Sequence, residues 1–172
     1  MRRKGGVRRG TRNFQGFSRR VWVPRPSLPR IFDHFPAFSG IIIQVGFLDS
    51  LTTNCDHSLP LTLGELTEFG DAKRNIEHWK YIKSYSPYHN IKKMDYPNLL
   101  LVTNLKDVRV LFDEPTKFTA KLRQYKTDNN LLLLKCELED AGHGGKSGRD
   151  SAIEEIAFDY SFILKITNKL NT

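Results

Sequence analysis

Three short apolar runs set what this 172-residue chain can fold into. They are Gly40-Ile41-Ile42-Ile43-Gln44-Val45-Gly46-Phe47-Leu48, Asn98-Leu99-Leu100-Leu101-Val102-Thr103 and Leu131-Leu132-Leu133-Leu134-Lys135-Cys136. Continuous rather than alternating hydrophobicity is the mark of strands covered on both faces, as in a parallel sheet. Between the second and third runs, Glu114 to Lys126 places Phe118, Leu122 and Tyr125 at i, i+4 and i+7, which predicts one helical face. A Gly-rich loop follows the third run. Beyond it, Ser151 to Lys169 carries an apolar stripe of Ile153, Ile156, Ala157, Tyr160, Ile163 and Leu164. Ser151 and Glu154 have capping-box spacing, which predicts the start of that helix. Strand, helix, strand, helix with buried strands predicts an α/β fold, a parallel sheet covered by helices. Residues 50–97 read as a long excursion between neighbouring strands, with short helices around 64–69 and 73–83.

Charge divides the chain in two. Residues 1–32 hold ten of the 27 Lys and Arg residues and no acid, whereas the other 140 residues hold 17 basic and 19 acidic side chains. The net charge of +8 therefore belongs to an arm, and the body is slightly acidic. That arm, residues 1–38, is Arg- and Gly-rich and then Pro-rich, and shows neither helical nor strand periodicity. It is expected to be disordered or a non-native leader, with residues 39–172 as the folded domain. Arg with Phe14 and Phe17 would suit nucleic acid, and an acid-free Arg-rich leader would suit organelle targeting. Both readings rank below the plain one. No apolar run reaches the roughly 18–20 residues of a membrane span, so no membrane partner is expected. Cys55 and Cys136 form no metal-binding pattern and, with no secretory signal, are expected to be free thiols of a cytoplasmic protein. No cofactor and no metal are implied.

Two loops beyond strand ends carry titratable groups. Asp107 follows the second run, and His143 follows the third within Ala141-Gly142-His143-Gly144-Gly145. Ligands of open α/β sheets bind beyond the carboxyl ends of the strands. An Asp and then a His on successive strand ends is also the chain order of an α/β-hydrolase charge relay. The plain alternative makes Asp107 a turn cap and His143 a polar loop residue. A nucleophile is harder to find, because no Gly-x-Ser-x-Gly occurs in the sequence. Cys55, two residues before His57, shows no strand-to-helix elbow and reads as a structural thiol.

A run of motifs resembles the prolyl oligopeptidase family of serine peptidases, in its oligopeptidase B branch. They are Leu59-Pro60-Leu61-Thr62-Leu63-Gly64-Glu65-Leu66-Thr67-Glu68-Phe69-Gly70, Tyr81-Ile82-Lys83-Ser84-Tyr85-Ser86-Pro87-Tyr88 and Asp95-Tyr96-Pro97-Asn98-Leu99-Leu100. Glu114-Pro115, Ala120-Lys121-Leu122-Arg123 and Ala141 to Arg149 continue the series in order. The resemblance covers about residues 39–166 and implies the C-terminal half of an α/β-hydrolase domain. Such enzymes cut short peptides after Arg or Lys beneath a β-propeller. The resemblance implies that Asp107 and His143 are relay residues. It implies that Glu65 recognises the basic side chain and that Arg109 holds a substrate carbonyl or carboxylate. Lys106 departs from the family's His before the aspartate. Thr67 stands for a second pocket carboxylate, so recognition of a basic residue is expected to be weaker. The nucleophile elbow should fall near Val21, where the basic arm stands instead. The resemblance thus implies negligible peptidase activity for this chain alone, and the arm suggests a shifted reading frame or joined foreign sequence. Half a sheet also predicts an unpaired edge near Ile41–Val45, and self-association through it.

Overall fold

The computed structural model describes residues 38–139 and 141–168; apart from Phe38, the arm lies outside them. Three parallel strands form the main sheet in the order β1 (Gly40–Gln44), β2 (Asn98–Asn104), β3 (Leu132–Glu137). Helices α1 (Ser50–Cys55), α2 (Pro60–Phe69) and α3 (Ile76–Tyr85) and a 3-10 turn at Pro87–Asn90 build the excursion between β1 and β2. Helix α4 (Asp113–Tyr125) joins β2 to β3. A short hairpin, β4 (Ala141–Gly142) with β5 (Gly145–Lys146), then leads into α5 (Arg149–Ile166). Among the described residues no helix is long and apolar enough to cross a membrane.

Register explains the layering. Ile41, Leu99 and Leu132 stand abreast, as do Ile43, Leu101 and Leu134. Side chains alternate across a strand, so these six share one face. They pack with Phe118 and Leu122 of α4 and with Leu48, Ile91 and Tyr96 of the excursion. The opposite face carries Ile42, Leu100 and Leu133. There α5 lies against β1: a Cβ built on Gly40 would fall 2.3 Å from Ile166 Cδ1. Among the described strands, the central β2 alone is buried on both faces. β1 and β3 are half-buried, and Leu133 is exposed. The continuous apolar runs thus predict three strands correctly but overstate how two of them are covered, because β1 and β3 terminate the sheet.

Other expectations change in detail. The excursion holds a helix, α1, that the sequence pattern does not announce. Asp49 caps it by accepting from Thr52 N, and Thr53 and Asn54 look inward rather than supplying an apolar stripe. Leu51, Ala72, Ile82 and Tyr85 give the excursion a small core of its own. Helix α5 begins at Arg149 after Gly148, whose φ is +111°, with no side-chain cap. Ser151 and Glu154 therefore lie inside the helix, and their capping-box reading is wrong. The expected stripe on α5 divides into two faces: Ile156 and Ile163 are half-buried, while Ile153, Ala157, Tyr160 and Leu164 are exposed. On α4, Phe118 and Leu122 are buried but Tyr125 is exposed.

Removing three buried carbons from the α4–sheet contact leaves a void its neighbours cannot close. Leu122→Ala is expected to lower unfolding free energy by about 2–5 kcal/mol, read as a shifted urea midpoint at unchanged slope.

Candidate active site

The central strand delivers the acid. Beyond Asn104 the chain turns at once: Asp107 N donates to Asn104 O at 3.1 Å. The Asp107 carboxylate is 2% exposed as a residue and satisfied from two sides. Its Oδ1 accepts from Arg109 N at 2.8 Å and from Val110 N at 3.1 Å. This explains a polar group in so buried a place: the backbone donors of its own loop fix it. Its second oxygen, Oδ2, lies 2.8 Å from His143 Nδ1.

The histidine arrives by a different device. His143 and Gly144 form the two-residue turn of the β4–β5 hairpin, whose partners are Gly142 with Gly145 and Ala141 with Lys146. Gly145 has φ +87°, and a Cβ there would fall 2.4 Å from Glu155 Oε1. That carboxylate accepts from Lys146 N at 3.1 Å, tying the hairpin to α5. Asn104 Nδ2 donates to Gly142 O at 2.8 Å, so the end of β2 holds the hairpin beside the Asp107 loop. Lys146 pairs with Glu137 at 3.2 Å and Glu139 at 2.9 Å, fastening the hairpin to the end of β3. Three anchors thus converge on one imidazole.

A carboxylate can only accept, so Nδ1 carries a proton, and in the neutral ring that tautomer leaves the lone pair on Nε2. The histidine side chain remains 28% exposed while the aspartate side chain is fully covered. This is the disposition of a general base: a shielded anion orients the ring and stabilises the cation that forms, while the ring itself stays partly exposed. Among the described residues no serine hydroxyl is bonded to His143.

Glu65 and Arg109 come together elsewhere, as walls of one pocket that also includes Phe47, Thr53, Tyr85 and Val108. Arg109 lies two residues beyond Asp107 in the same loop, so pocket and Asp–His pair adjoin. Burial, then the neighbouring Glu68, push the Glu65 carboxyl above its ordinary range. A guanidinium entering the pocket would relieve both effects by pairing with it.

Sequence reading missed a buried cluster that holds these two parts together. Glu114, in the first turn of α4, accepts from Asp49 N at 2.8 Å and from Thr53 Oγ1 at 2.6 Å. Asp49 Oδ2 meets Lys117 Nζ at 2.7 Å, and Lys117 also reaches Asp113 at 3.1 Å. Thr53 O in turn accepts from Thr62 Oγ1 of α2, the helix that carries Glu65. The segment leading from Asp107 is thereby fixed to the pocket wall. Asp49 and Glu114 are 65 residues apart, and no local pattern could have paired them.

Two further constellations do not qualify as catalytic. Ser86 Oγ lies 3.1 Å and Asp49 Oδ1 3.3 Å from the same nitrogen of His89, Nδ1. A relay needs the two on opposite ring nitrogens, and Ser86 is fully buried with its oxygen near Leu51 N. Cys55 ends α1, and burial, followed by Asp71, pushes its thiol up, against the thiolate a nucleophile needs. Among the described residues no group of His, Cys, Asp or Glu is arranged to hold a metal.

A parallel sheet whose central strand ends in a buried Asp, bonded to a His beyond the next strand, defines the C-terminal part of an α/β-hydrolase domain. Comparison with known proteins gives the family. Residues 31–170 match the model of the prolyl oligopeptidase family, and the chain belongs to that family. It is 46% identical over 127 residues to Protease 2 of Moraxella lacunata, covering 74% of this chain and 18% of that protein. To dipeptidyl aminopeptidase BI of Pseudoxanthomonas mexicana it is 38% identical, covering 72% and 17%. Oligopeptidase B from Leishmania major superposes with a TM-score of 0.75 at 36% identity, over 80% of this chain and 19% of that one. The Trypanosoma brucei oligopeptidase B, solved with covalently bound antipain, gives 0.74 at 41% identity, over 78% and 19%. The chain thus spans about a fifth of the length of these relatives.

Burial raises the Glu114 carboxyl to about 7, with Asp49 adding to the rise while Thr53, the Asp49 amide and Lys117 oppose it. His89, bonded to Asp49, is held below its ordinary value by its own burial, against the pull of Asp49. The sign follows from linkage. The folded state keeps a proton on Glu114 that the unfolded chain has already released, so stability falls as pH rises from about 4.5 towards about 7. Glu114→Gln, which keeps an acceptor for Asp49 N and carries no charge, is expected to abolish that fall. It should match the native chain near pH 4 and exceed it by about 1–3 kcal/mol at pH 8, measured by urea unfolding at both pH values.

Proposed function

We propose that this chain carries the acid–base half of a serine-peptidase centre specific for peptides with a basic side chain. The observation that carries the reading is the 2.8 Å contact between buried Asp107 Oδ2 and His143 Nδ1. In such a centre His143 Nε2 takes the proton of an attacking hydroxyl and later returns it to the leaving amine. Asp107 holds the tautomer and stabilises the imidazolium through the acyl-transfer steps. Glu65 pairs with the guanidinium or ammonium of the substrate, and Arg109, at the rim beside the relay loop, holds a substrate carbonyl or carboxylate. Family membership and the wall shared by Glu65 and Arg109 support these assignments. With Thr67 in place of a second acid, binding of a basic residue rests on Glu65 and is weak.

The hydroxyl itself is not offered by any Gly-x-Ser-x-Gly of this sequence. Relay members act as a unit, so losing the nucleophile removes nearly all catalysis. The chain alone is therefore expected to release aminomethylcoumarin from an Arg-aminomethylcoumarin peptide no faster than buffer, and to take no label from a fluorophosphonate. A burst of product that His143→Ala abolishes would contradict this. So would stoichiometric labelling of one serine.

A further inference from the structure

Strand β2 runs through the core yet ends on a buried amide. Side chains alternate along a strand, so Leu100, Val102 and Asn104 fall on the face opposite the one that α4 covers. Asn104 is 5% exposed. A buried amide costs free energy unless its polar groups are bonded, and leucine has the same shape without that cost. What the asparagine adds is a link to both halves of the Asp–His pair. Its backbone oxygen accepts from Asp107 N at 3.1 Å. Its Nδ2 donates to the oxygen of Gly142, the residue before His143, at 2.8 Å. The sheet holds the residue itself: Asn104 stands abreast of Glu137, and Leu105 N extends the pairing by donating to Glu137 O at 2.9 Å.

We infer that the Asn104 side chain is a positioning residue for this acid–base pair, setting where the His143 ring stands relative to Asp107. The inference rests on the role proposed above for Asp107 and His143. His143 has Gly142 before it and Gly144 after it, and glycine leaves the backbone more conformational freedom than any other residue. A bond from the sheet to the carbonyl next to the histidine removes that freedom beside the ring. Water can replace the lost donor but cannot hold the hairpin in place. The other hairpin contacts act further away, on Lys146, three residues beyond the histidine. Glu137 and Glu139 share its Nζ at 3.2 and 2.9 Å, so either can stand in for the other. Ion pairs with an exposed partner such as Glu139 are worth little. Glu155 takes Lys146 N at 3.1 Å, on the strand that leaves the turn. Asn104 alone among these holds the strand that leads into it.

The test reads the His143 Nδ1 proton of the full chain by NMR, with the Arg109 and Val110 amides reporting on the Asp107 loop they bond. Asn104→Leu keeps the bulk and removes the donor. It is expected to move the Nδ1 resonance upfield and to speed its exchange with water roughly three- to tenfold. The Arg109 and Val110 amides should keep their protection, because the Asn104 backbone still receives Asp107 N. Asn104→Gln, with the donor on a longer arm, should fall between the native chain and Asn104→Leu. Glu137→Gln should move the resonance less than Asn104→Leu does. An unmoved Nδ1 proton in Asn104→Leu would overturn the proposal, as would Asn104→Gln no better than Asn104→Leu. Loss of protection at Arg109 and Val110, or unfolding of Asn104→Leu, would also overturn it by making the role general rather than local. Asp107→Ala, measured alongside, separates the two claims. If it leaves the Nδ1 proton unmoved, the pair itself fails; if it moves the proton and Asn104→Leu does not, the positioning role alone fails.

Discussion

The hydrogen bond between Asp107 and His143 is the constraint to which the rest of the structure is fitted. Its partners are 36 residues apart and come from different elements. One sits in a tight loop closed by its own amides, and the other at the tip of a two-residue hairpin turn. Neither piece has the means to place itself. The parallel sheet supplies the common frame, and Asn104 and Lys146 fasten loop and hairpin to its strand ends. A buried carboxylate with three donors is also costly to disturb, since each amide left unpaired costs about 1–3 kcal/mol. The same bond therefore orients chemistry and holds two loops together.

Around that bond the fold keeps two other groups at hand. Glu65 and Arg109 share a pocket, and their supports converge on the Glu114–Asp49 cluster through Thr53 and Thr62. The cluster carries an energetic penalty, visible in the raised Glu114 carboxyl. Buried charged clusters of this kind are poor sources of stability compared with apolar packing. Its retention beside the site fits a part that fixes geometry. Backbone strain accompanies it: Val45, a β-branched residue at φ +44°, turns the chain out of β1 while its N–H still reaches Val102 O at 2.8 Å. Such conformations persist only where surroundings over-determine them.

Much of this was legible in the sequence, for reasons that can be named. Apolar runs at 40–48, 98–103 and 131–136 mark strands because a sheet core needs nothing more specific than buried bulk. Loops beyond parallel strands face one end of the sheet, so Asp107 and His143 were candidates for the same cleft before any coordinates. What stayed hidden depended on distant partners. Helix α1 turns polar residues inward to meet Glu114 and Gly70, a pattern that periodicity cannot detect. The coverage of β1 and β3 depends on sheet order rather than on their composition. On α5, Asp159 is buried because Gln44 is waiting for it. The apolar residues there serve two faces, and a single-stripe reading merges them.

The direct test of the central claim is the protonation state of His143, read by NMR on the chain labelled with nitrogen-15 histidine. The account predicts a ring protonated on Nδ1, with that proton strongly deshielded by the Asp107 carboxylate and shifted back in Asp107→Ala. A ring protonated on Nε2, or a Nδ1 signal indifferent to Asp107→Ala, would contradict it.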